Sequence, residues 1–274
     1  MLRAAVIQMV STANADENLA SAGELLRAAA ADDAQLAVLP ENFTLMGLDD
    51  EARLALMEAP GNGPIQTFLS TIARELKLWL VAGTIPLKAD APGHMRPASL
   101  LYNPQGDCVS RYDKIHLFDV DVGNGESYRE SDTFEAGSDI VVADTEIARI
   151  GLSICYDVRF PELYRSMHAK GVELITVPAA FTATTGRVHW QALLQARAVE
   201  NLCFVLAANQ GGTHANGRET WGHSMIIDPW GQILAELDYG AGVVCADLDF
   251  DRMHQVRQTF PVLTHRRLNY RLNE

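Results

Sequence analysis

The sequence predicts an α/β fold, and two observations lead to that prediction. Short apolar runs alternate with amphipathic stretches along the whole chain, as they do in proteins whose strands and helices follow one another. Several of these runs are apolar at nearly every residue, which is typical of strands that are covered on both faces. We therefore expect largely parallel pairing, with helices packed against the faces of the sheet.

The apolar runs place the strands along the chain. We expect strands at residues 4–8, 35–39, 78–82, 99–102, 148–154, 174–177, 203–207, 224–227 and 243–246. Each run has the length of an ordinary strand in a globular protein.

The stretches between these runs predict helices at residues 14–31, 64–76, 160–170 and 185–201. In the second of them, Ile65, Leu69 and Ile72 recur at the spacing that puts side chains on one helix face. In the third, Pro161 stands near the start and Gly171 just past the end. Proline early and glycine late are the usual signals for the two ends of a helix.

The composition is that of a globular protein with a large core. The chain has 274 residues, of which 48% are hydrophobic and 21% charged. Its formal net charge of −13 argues against nucleic acid or an anionic membrane as partner. No linker rich in Pro, Gly or Ser interrupts the sequence, so we expect one domain over residues 1–274, with residues 255–274 as a C-terminal tail. We expect residues 118–137, rich in Asp, Gly, Glu and Ser, to form a long functional loop.

The ends and the cysteines indicate a cytoplasmic protein. The first residues lack the long apolar core of a signal peptide, and no run is long enough for a membrane helix. Cys108, Cys155, Cys203 and Cys245 lie far apart and form no CxxC pair. We therefore expect neither a zinc ribbon nor a disulfide framework, and a reducing compartment.

Three reactive residues follow apolar runs. Glu41 stands in AVLPENF, Lys114 in SRYDKIHLFD and Cys155 in RIGLSICYDVRFPELYR. Ligands of open α/β sheets bind at the carboxyl ends of the strands. These strand ends are therefore candidates for one common site.

The three residue types suit nucleophilic attack on an amide. A free thiol has a pKa of about 8.5 and is mostly protonated near neutral pH. A glutamate can take that proton and pass it to the departing amine. The Lys114 ammonium and a backbone N–H such as that of Tyr156 can stabilise the oxyanion. The helix predicted after Cys155 begins near residue 160, and we expect its N-terminus to favour thiolate and oxyanion alike.

Other interpretations of the same residues remain open. A cysteine at a strand end is often a small buried hydrophobic residue, and single Glu and Lys residues are usually solvated surface charges. A papain-like alternative would pair Cys155 with His189 or His223, although both His189 and Trp190 are expected to pack within a helix. In that alternative a histidine is the base, and a Glu41→Gln variant stays active.

The strings LPENF, YDKIHLFD and GLSICYDVRFPELYR resemble the signature segments of the nitrilase superfamily of carbon–nitrogen hydrolases, in the family order Glu, Lys, Cys. The resemblance covers roughly residues 3–250. It implies a four-layer α-β-β-α sandwich, no metal or organic cofactor, and a homodimer formed through the helices near residues 160–170 and 185–201, or a higher homo-oligomer. It also implies a triad of Glu41, Lys114 and Cys155, with Glu130 hydrogen-bonding near the lysine and Glu126 as the nearby alternative.

The stretch CYDVRFPELYR resembles the branch that contains omega-amidase and deaminated glutathione amidase. The resemblance implies that Arg159 faces a substrate carboxylate and that Phe181 and Thr185 line the pocket beside it. The alternatives are a salt bridge from Arg159 to Asp157 or Glu162, a purely structural Phe181, and a helix N-cap at Thr185.

The string AANQGGTHANGRETWGHSMIIDPWG resembles the deaminated glutathione amidases more closely. The resemblance implies hydrolysis of deaminated glutathione to 2-oxoglutarate and Cys-Gly through a thioester. Residues 214–218 would then touch the peptide part of the substrate, or would be an exposed polar turn. An omega-amidase acting on 2-oxoglutaramate is the main alternative, followed by a nitrilase and a catalytically silent binding protein.

Overall fold

A computed structural model describes residues 1–46, 50–123 and 126–268. The strands are β1 (Leu2–Gln8), β2 (Leu36–Val38), β3 (Trp79–Val81), β4 (Ile85–Lys88), β5 (Met95–Tyr102), β6 (Cys108–Asp113), β7 (Asp119–Gly123), β8 (Glu126–Arg129), β9 (Val142–Asp144), β10 (Arg149–Leu152), β11 (Leu174–Thr176), β12 (Phe204–Ala207), β13 (Met225–Ile227), β14 (Ile233–Glu236) and β15 (Gly242–Leu248). The helices are α1 (Ala15–Ala31), α2 (Asp50–Ala55), α3 (Pro64–Leu76), α4 (Pro161–Ala169), α5 (Ala183–Asn201) and α6 (Phe250–Thr259), with 3₁₀ turns at Glu130–Asp132, Cys155–Arg159 and Val262–His265. Within the described ranges, no helix is long and apolar enough to cross a bilayer.

The strands form two large sheets with parallel centres. The first has the order β15-β1-β2-β3-β5-β4, with β6 paired to β5, and the second has the order β14-β13-β12-β11-β10-β9. Pairing is parallel for β1–β2, β2–β3, β10–β11 and β11–β12, and a helix lies between the two strands of each of these pairs. The outer strands pair antiparallel because short connections such as 89–94 and 228–232 join them. The expected largely parallel pairing is therefore wrong outside the centre of each sheet.

Alternate residues of β1 show how the layers stack. Ala4 and Val6 face a core shared with strands β10 to β12 of the second sheet. Ala5 and Ile7 face the opposite way, into a core with Leu26 of α1 and residues of α3. Helices α4 and α5 pack on the outside of the second sheet. This arrangement confirms the expected four-layer α-β-β-α sandwich, with β1 buried on both faces.

Local sequence explains the helix ends. Asn14 caps α1 by accepting hydrogen bonds from the backbone N–H groups of Asp16 and Glu17. Pro64 begins α3. The N-cap of α5 is Thr182, which accepts from the backbone N–H of Thr185. We expected this helix to begin at Thr185. It begins at Ala183 instead, and Thr185 lies inside its first turn.

The region expected to be a long loop at 118–137 contains secondary structure. It holds the β7–β8 hairpin and the 3₁₀ turn Glu130–Asp132. Both strands are short and rich in polar residues, and they pair only with each other, so they lack the apolar pattern that predicts a strand. Strands β4, β6, β9 and β14 and helices α2 and α6 were not expected either.

The fold places Glu41 just after β2 by means of a close backbone approach. Gly83, which follows β3, has a φ of +52°, and a Cβ at this position would collide with the carbonyl group of Pro40. Beside it, the Thr84 hydroxyl accepts a hydrogen bond of 2.8 Å from the backbone N–H of Asn42. These contacts hold the turn that carries Glu41 against the end of β3.

We expect Gly83→Ala to lower the free energy of unfolding by about 2–5 kcal/mol, because it adds a steric clash to an unfavourable positive φ. Activity should fall as well, since the clash displaces the turn that carries Glu41. Chemical denaturation and steady-state kinetics measure the two effects.

The matched control is Gly93→Ala. Gly93 also has a positive φ, +76°, but apart from its two chain neighbours no residue in the described ranges has an atom within 4 Å of its would-be Cβ. Its cost should be about 1 kcal/mol, with unchanged activity. Equal costs for the two variants would contradict the close approach to Pro40.

Candidate active site

A fully buried ammonium connects two of the predicted site residues. Lys114 follows β6, and its Nζ donates to Glu41 Oε1 at 2.9 Å and to Glu130 Oε1 and Oε2 at 3.0 and 2.9 Å. Burial alone would lower the pKa of Lys114, but the two carboxylates raise it well above its ordinary value. The ammonium therefore stays charged. Glu130 is oriented by the backbone N–H of Phe118, 2.8 Å from Oε2.

The structure thus brings Glu130 to the position expected from the resemblance. The side chain of its alternative, Glu126, lies outside the described residues. Lys114 and its two carboxylate neighbours come from the ends of β2 and β6 and from the 3₁₀ turn after β8.

Glu41 is a buried carboxylate held in one orientation. The backbone N–H of Ala180 donates to its Oε2 at 2.9 Å, while Lys114 holds Oε1. Burial would raise the pKa of Glu41, but Lys114 and hydrogen bonds from Lys114 and Cys155 keep it below the ordinary 4.5. Glu41 is therefore an ionised acceptor in contact with the Cys155 thiol.

Cys155 stands on a sharp turn between β10 and a 3₁₀ segment. Its φ of +44° is in the left-handed region that non-glycine residues rarely adopt, and its N–H donates to the Pro178 carbonyl at 2.8 Å. Strain of this kind persists only where surrounding contacts fix it, and it concentrates at functional sites. Glu41 and the backbone N–H of Ala180 both lie within hydrogen-bonding reach of the sulfur.

Asp157 stabilises the turn that carries Cys155. The fully buried carboxylate accepts hydrogen bonds from the backbone N–H of Ile154 at 2.8 Å and from the Tyr112 hydroxyl at 2.7 Å. It also lies 2.7 Å from Nδ1 of His116, whose ring stacks on Phe160. His116 therefore helps to hold the Asp157 carboxylate in place.

The resting sulfur is a thiol, contrary to the expectation of a thiolate favoured by a helix N-terminus. Burial and the adjacent Glu41 carboxylate raise the pKa of Cys155 well above its ordinary 9.0, and Lys114 only partly offsets them. Helix α4 begins at Pro161, and the residues directly after Cys155 form the 3₁₀ turn instead. A nucleophilic role of Cys155 would therefore require transfer of its proton to Glu41.

One backbone donor beside the sulfur is unused. The N–H of Tyr156 makes no hydrogen bond to any residue in the described ranges. Together with Nζ of Lys114, this donor is available to a developing oxyanion. Tyr156 as part of an oxyanion hole stays a prediction.

A cavity of about 210 Å³ opens beside Cys155. Its wall includes the predicted residues Glu41, Glu130, Cys155, Tyr156, Arg159, Phe181 and Thr185. The structure therefore brings these residues together, and Lys114 is buried behind them.

Arg159 carries a guanidinium with no carboxylate partner. Its CZ atom lies 5.1 Å from the ring centre of Phe181 and 5.9 Å from that of Tyr156, and its Nη1 lies 3.2 Å from Nδ1 of His189. Partial burial lowers its pKa from the ordinary value, but an arginine remains charged. Within the described ranges no acidic side chain is in ion-pair distance of Arg159, so the alternative of a salt bridge to Asp157 or Glu162 is wrong.

The residues around Arg159 have mixed roles. Phe181 is both core and pocket wall, because it packs against the buried Trp190 and beneath the guanidinium. We expected His189 to pack within its helix, but its side chain is exposed and contacts Arg159. Thr185 lines the pocket and shares a hydroxyl contact of 2.8 Å with Thr182.

The sequence patterns did not predict several residues that line the cavity or support its walls. Ala180 acts through its backbone N–H and carbonyl groups, and no side-chain pattern can indicate such a role. Phe118 and Tyr128 line the cavity from the region expected to be a loop. Arg218 also lines it, although the turn that carries it had an equally good interpretation as an exposed surface turn.

A metal centre is not among the features found. In residues 1–46, 50–123 and 126–268, no group of three or more His, Cys, Asp or Glu side chains is arranged to hold a metal ion.

Comparison with known proteins gives full-length matches. The carbon–nitrogen hydrolase family matches residues 3–258. The chain is 46% identical to the deaminated glutathione amidase of Synechocystis, over 96% of this chain and 97% of that protein. Two solved structures are similar. NitFhit of Caenorhabditis elegans has a TM-score of 0.88 at 34% identity, and Nit3 of Saccharomyces cerevisiae, a member of branch 10 of the nitrilase superfamily, has 0.86 at 30%.

The coverage of these structures differs. The match covers 97% of this chain but only 65% of the NitFhit chain, whereas it covers 95% of this chain and 94% of Nit3. These findings confirm the resemblance to the nitrilase superfamily that the three signature segments indicated. Because the family match extends over nearly all of the sequence, the chain belongs to the carbon–nitrogen hydrolase family.

Proposed function

We propose that this chain is an amidase that hydrolyses deaminated glutathione, with Cys155 as nucleophile, Glu41 as general base and acid, and Lys114 as electrostatic partner. The observation that carries the proposal is the buried contact of Glu41 with both Lys114 and the Cys155 thiol, beside a cavity that presents the unpaired guanidinium of Arg159. The name of the Synechocystis relative supports the choice of substrate.

Acylation begins with the amide carbonyl next to Cys155. Glu41 takes the thiol proton as sulfur attacks the carbonyl carbon, and the charge moves to the carbonyl oxygen. Lys114 and the N–H of Tyr156 stabilise that oxygen. Glu41 then gives the proton to the nitrogen as the C–N bond breaks, which releases the amine and leaves a thioester.

Deacylation uses the same groups in reverse. Glu41 takes a proton from a water molecule as the water oxygen attacks the thioester carbon. The C–S bond breaks, the proton returns to Cys155, and the acid is released. With deaminated glutathione the two products are Cys-Gly and 2-oxoglutarate.

Arg159 accounts for an anionic acyl part. Its planar guanidinium matches the geometry of a carboxylate, and the rings of Phe181 and Tyr156 hold it in place. An omega-amidase acting on 2-oxoglutaramate is the second candidate, because that smaller amide also has one carboxylate for Arg159 and fits a cavity of about 210 Å³.

We also propose that the chain is one domain over residues 1–274 and forms a homodimer in the cytoplasm. Val188 and Val199 on α5 are exposed, and so is Trp230, which lies just before β14. Exposed apolar side chains of this kind support a partner that packs against α5. The free thiols of the cysteines are compatible with a reducing compartment. Sedimentation velocity tests the dimer, and a single species of 30.0 kDa would contradict it.

The first prediction concerns the substrate. Purified protein should release 2-oxoglutarate from deaminated glutathione with a higher kcat/KM than from 2-oxoglutaramate, and Cys155→Ala should release none from either. An enzyme-coupled 2-oxoglutarate assay measures this. A preference for 2-oxoglutaramate would favour the omega-amidase, and no Cys155-dependent release would contradict both substrates.

The second prediction concerns the base. Glu41→Gln should lower kcat by at least about 100-fold, the usual contribution of general acid–base catalysis. The matched control is Glu58→Gln, because Glu58 is also a buried carboxylate but accepts hydrogen bonds from the N-terminus of α3. The control should lose stability and keep its kcat. Substantial turnover by Glu41→Gln would instead support a histidine base.

The third prediction concerns pH. The pKa of Glu41 lies below 4.5 and that of Cys155 above 9.0, so kcat/KM should be flat between these values. It should fall in acid only as the pH drops through the lowered pKa of Glu41. That lowered pKa also contributes stability which is lost over the same acid range, so circular dichroism at each pH separates unfolding from loss of the base. An acid limb near pH 6.5, the ordinary pKa of histidine, would contradict this assignment.

A further inference from the structure

A second guanidinium lines the cavity from a different side of the fold. Arg218 lies in the connection between β12 and β13, and its Nη2 donates to the Ala180 carbonyl at 2.7 Å. The CZ atom of Arg218 lies 4.8 Å from the ring centre of Tyr128. Its Nε is buried and has no hydrogen-bond partner within the part of the chain that the structure describes. The side chain is therefore held in place with donor capacity left unused.

The turn that carries Arg218 is anchored to the protein. His214 is buried, with Nδ1 2.9 Å from the Ser11 carbonyl and Nε2 2.8 Å from the Thr220 hydroxyl. The backbone N–H of His214 donates to the Arg218 carbonyl at 2.9 Å, and the Asn216 side chain accepts from the N–H of Arg218. The tip of the turn, residues 215–217, is exposed as the alternative interpretation expected, but a turn anchored in this way loses little freedom when it binds a ligand.

The charge of Arg218 is not neutralised by an ion pair. In the described ranges no acidic side chain lies within 4.0 Å of its guanidinium, although the whole protein carries a net charge of −13. Arg159 has the same property on another wall of the cavity. Two unpaired guanidinium groups around one small cavity indicate a ligand with two anionic groups.

The position of Glu41 indicates which part of the ligand each arginine meets. The backbone of Ala180 connects Arg218 to Glu41, because its N–H donates to Glu41 Oε2 at 2.9 Å and its carbonyl accepts from Arg218 Nη2 at 2.7 Å. Arg159 instead lies beside the rings of Phe181 and Tyr156. In the proposed reaction Glu41 must reach the departing nitrogen to protonate it. The amine part of the substrate therefore extends along the side of the cavity where Glu41 and Arg218 lie.

We propose that Arg218 is a specificity-determining residue that binds a carboxylate on the leaving amine, so that the enzyme selects amides with a carboxylate on both sides of the scissile bond. The inference rests on the proposed function. Deaminated glutathione has both carboxylates, one on the acyl part and one on its glycine, whereas 2-oxoglutaramate has only the first.

The test compares three substrates. They are deaminated glutathione, the same compound with its glycine carboxylate converted to a primary amide, and 2-oxoglutaramate. For Arg218→Gln, kcat/KM on deaminated glutathione should fall by about 10-fold or more, because a charge-assisted hydrogen bond is lost. For the other two substrates kcat/KM should fall by a much smaller factor, which should be about the same for both. Arg218→Lys should recover part of the loss.

Arg129→Gln is the matched control. Arg129 is a nearby guanidinium that is already ion-paired with Asp121 at 3.0 Å, so its loss should not discriminate among the three substrates. Because Arg218 also lowers the pKa of Glu41, its removal can change the rates of all three reactions together. That common effect cancels in the ratio of kcat/KM values, and the ratio is the measured quantity.

Two results separate the failure of this inference from that of the proposed function. If wild-type protein hydrolyses the substrates in a Cys155-dependent way but Arg218→Gln slows all three by the same factor, the binding role of Arg218 is wrong and the amidase stands. If wild-type protein hydrolyses none of them, the proposed function fails, and the role of Arg218 fails with it. A circular dichroism melt confirms that each variant is folded.

Discussion

The buried ammonium of Lys114 is the interaction on which the rest of the site depends. Its Nζ holds the carboxylates of Glu41 and Glu130 at about the distance of a charge-assisted hydrogen bond. Moving three charged groups out of water is costly, and removing one member of such a buried set typically costs about 3–5 kcal/mol, because the remaining charge is uncompensated. The cluster therefore fixes the ends of β2 and β6 and the 3₁₀ turn after β8 to one another. A substrate pocket can be built on that fixed frame.

A second buried polar centre, around Asp157, holds the turn that carries Cys155 in place. Asp157 ties the backbone of Ile154 to the Tyr112 hydroxyl and to His116, and so supports the left-handed conformation of Cys155. Tyr112 lies at the end of β6, two residues before Lys114. The strand that positions the ammonium thus also supports the turn that carries the thiol. Displacing β6 would disturb both groups together.

The sequence was sufficient for features with a local or short-range signal. Apolar runs located β1, β2 and β10 to within about two residues, and the residues that follow β2 and β10 are Glu41 and Cys155. The edge strand β4 was missed because it has only four residues, one of them a proline, which is too short for a clear apolar pattern. No role could be assigned to Arg218 from the sequence, because its place in the cavity depends on contacts with Tyr128 and Ala180, which are distant in sequence. The pKa of Cys155 was expected in the wrong direction because burial, which only the folded state determines, outweighs the charge of Lys114.

The orientation of Glu41 has a consequence for the charge of the site during catalysis. One ammonium and two carboxylates give the cluster a net charge of −1 while Cys155 is a neutral thiol. In the proposed cycle the thiol proton moves to Glu41 and then to the departing nitrogen, and a proton from water follows the same route back. Each transfer occurs between groups already in contact, so the buried site never exchanges a proton with bulk solvent during acylation. The surrounding dipoles can therefore stay in one arrangement through both half-reactions, which is the condition under which a preorganised site stabilises a transition state most effectively.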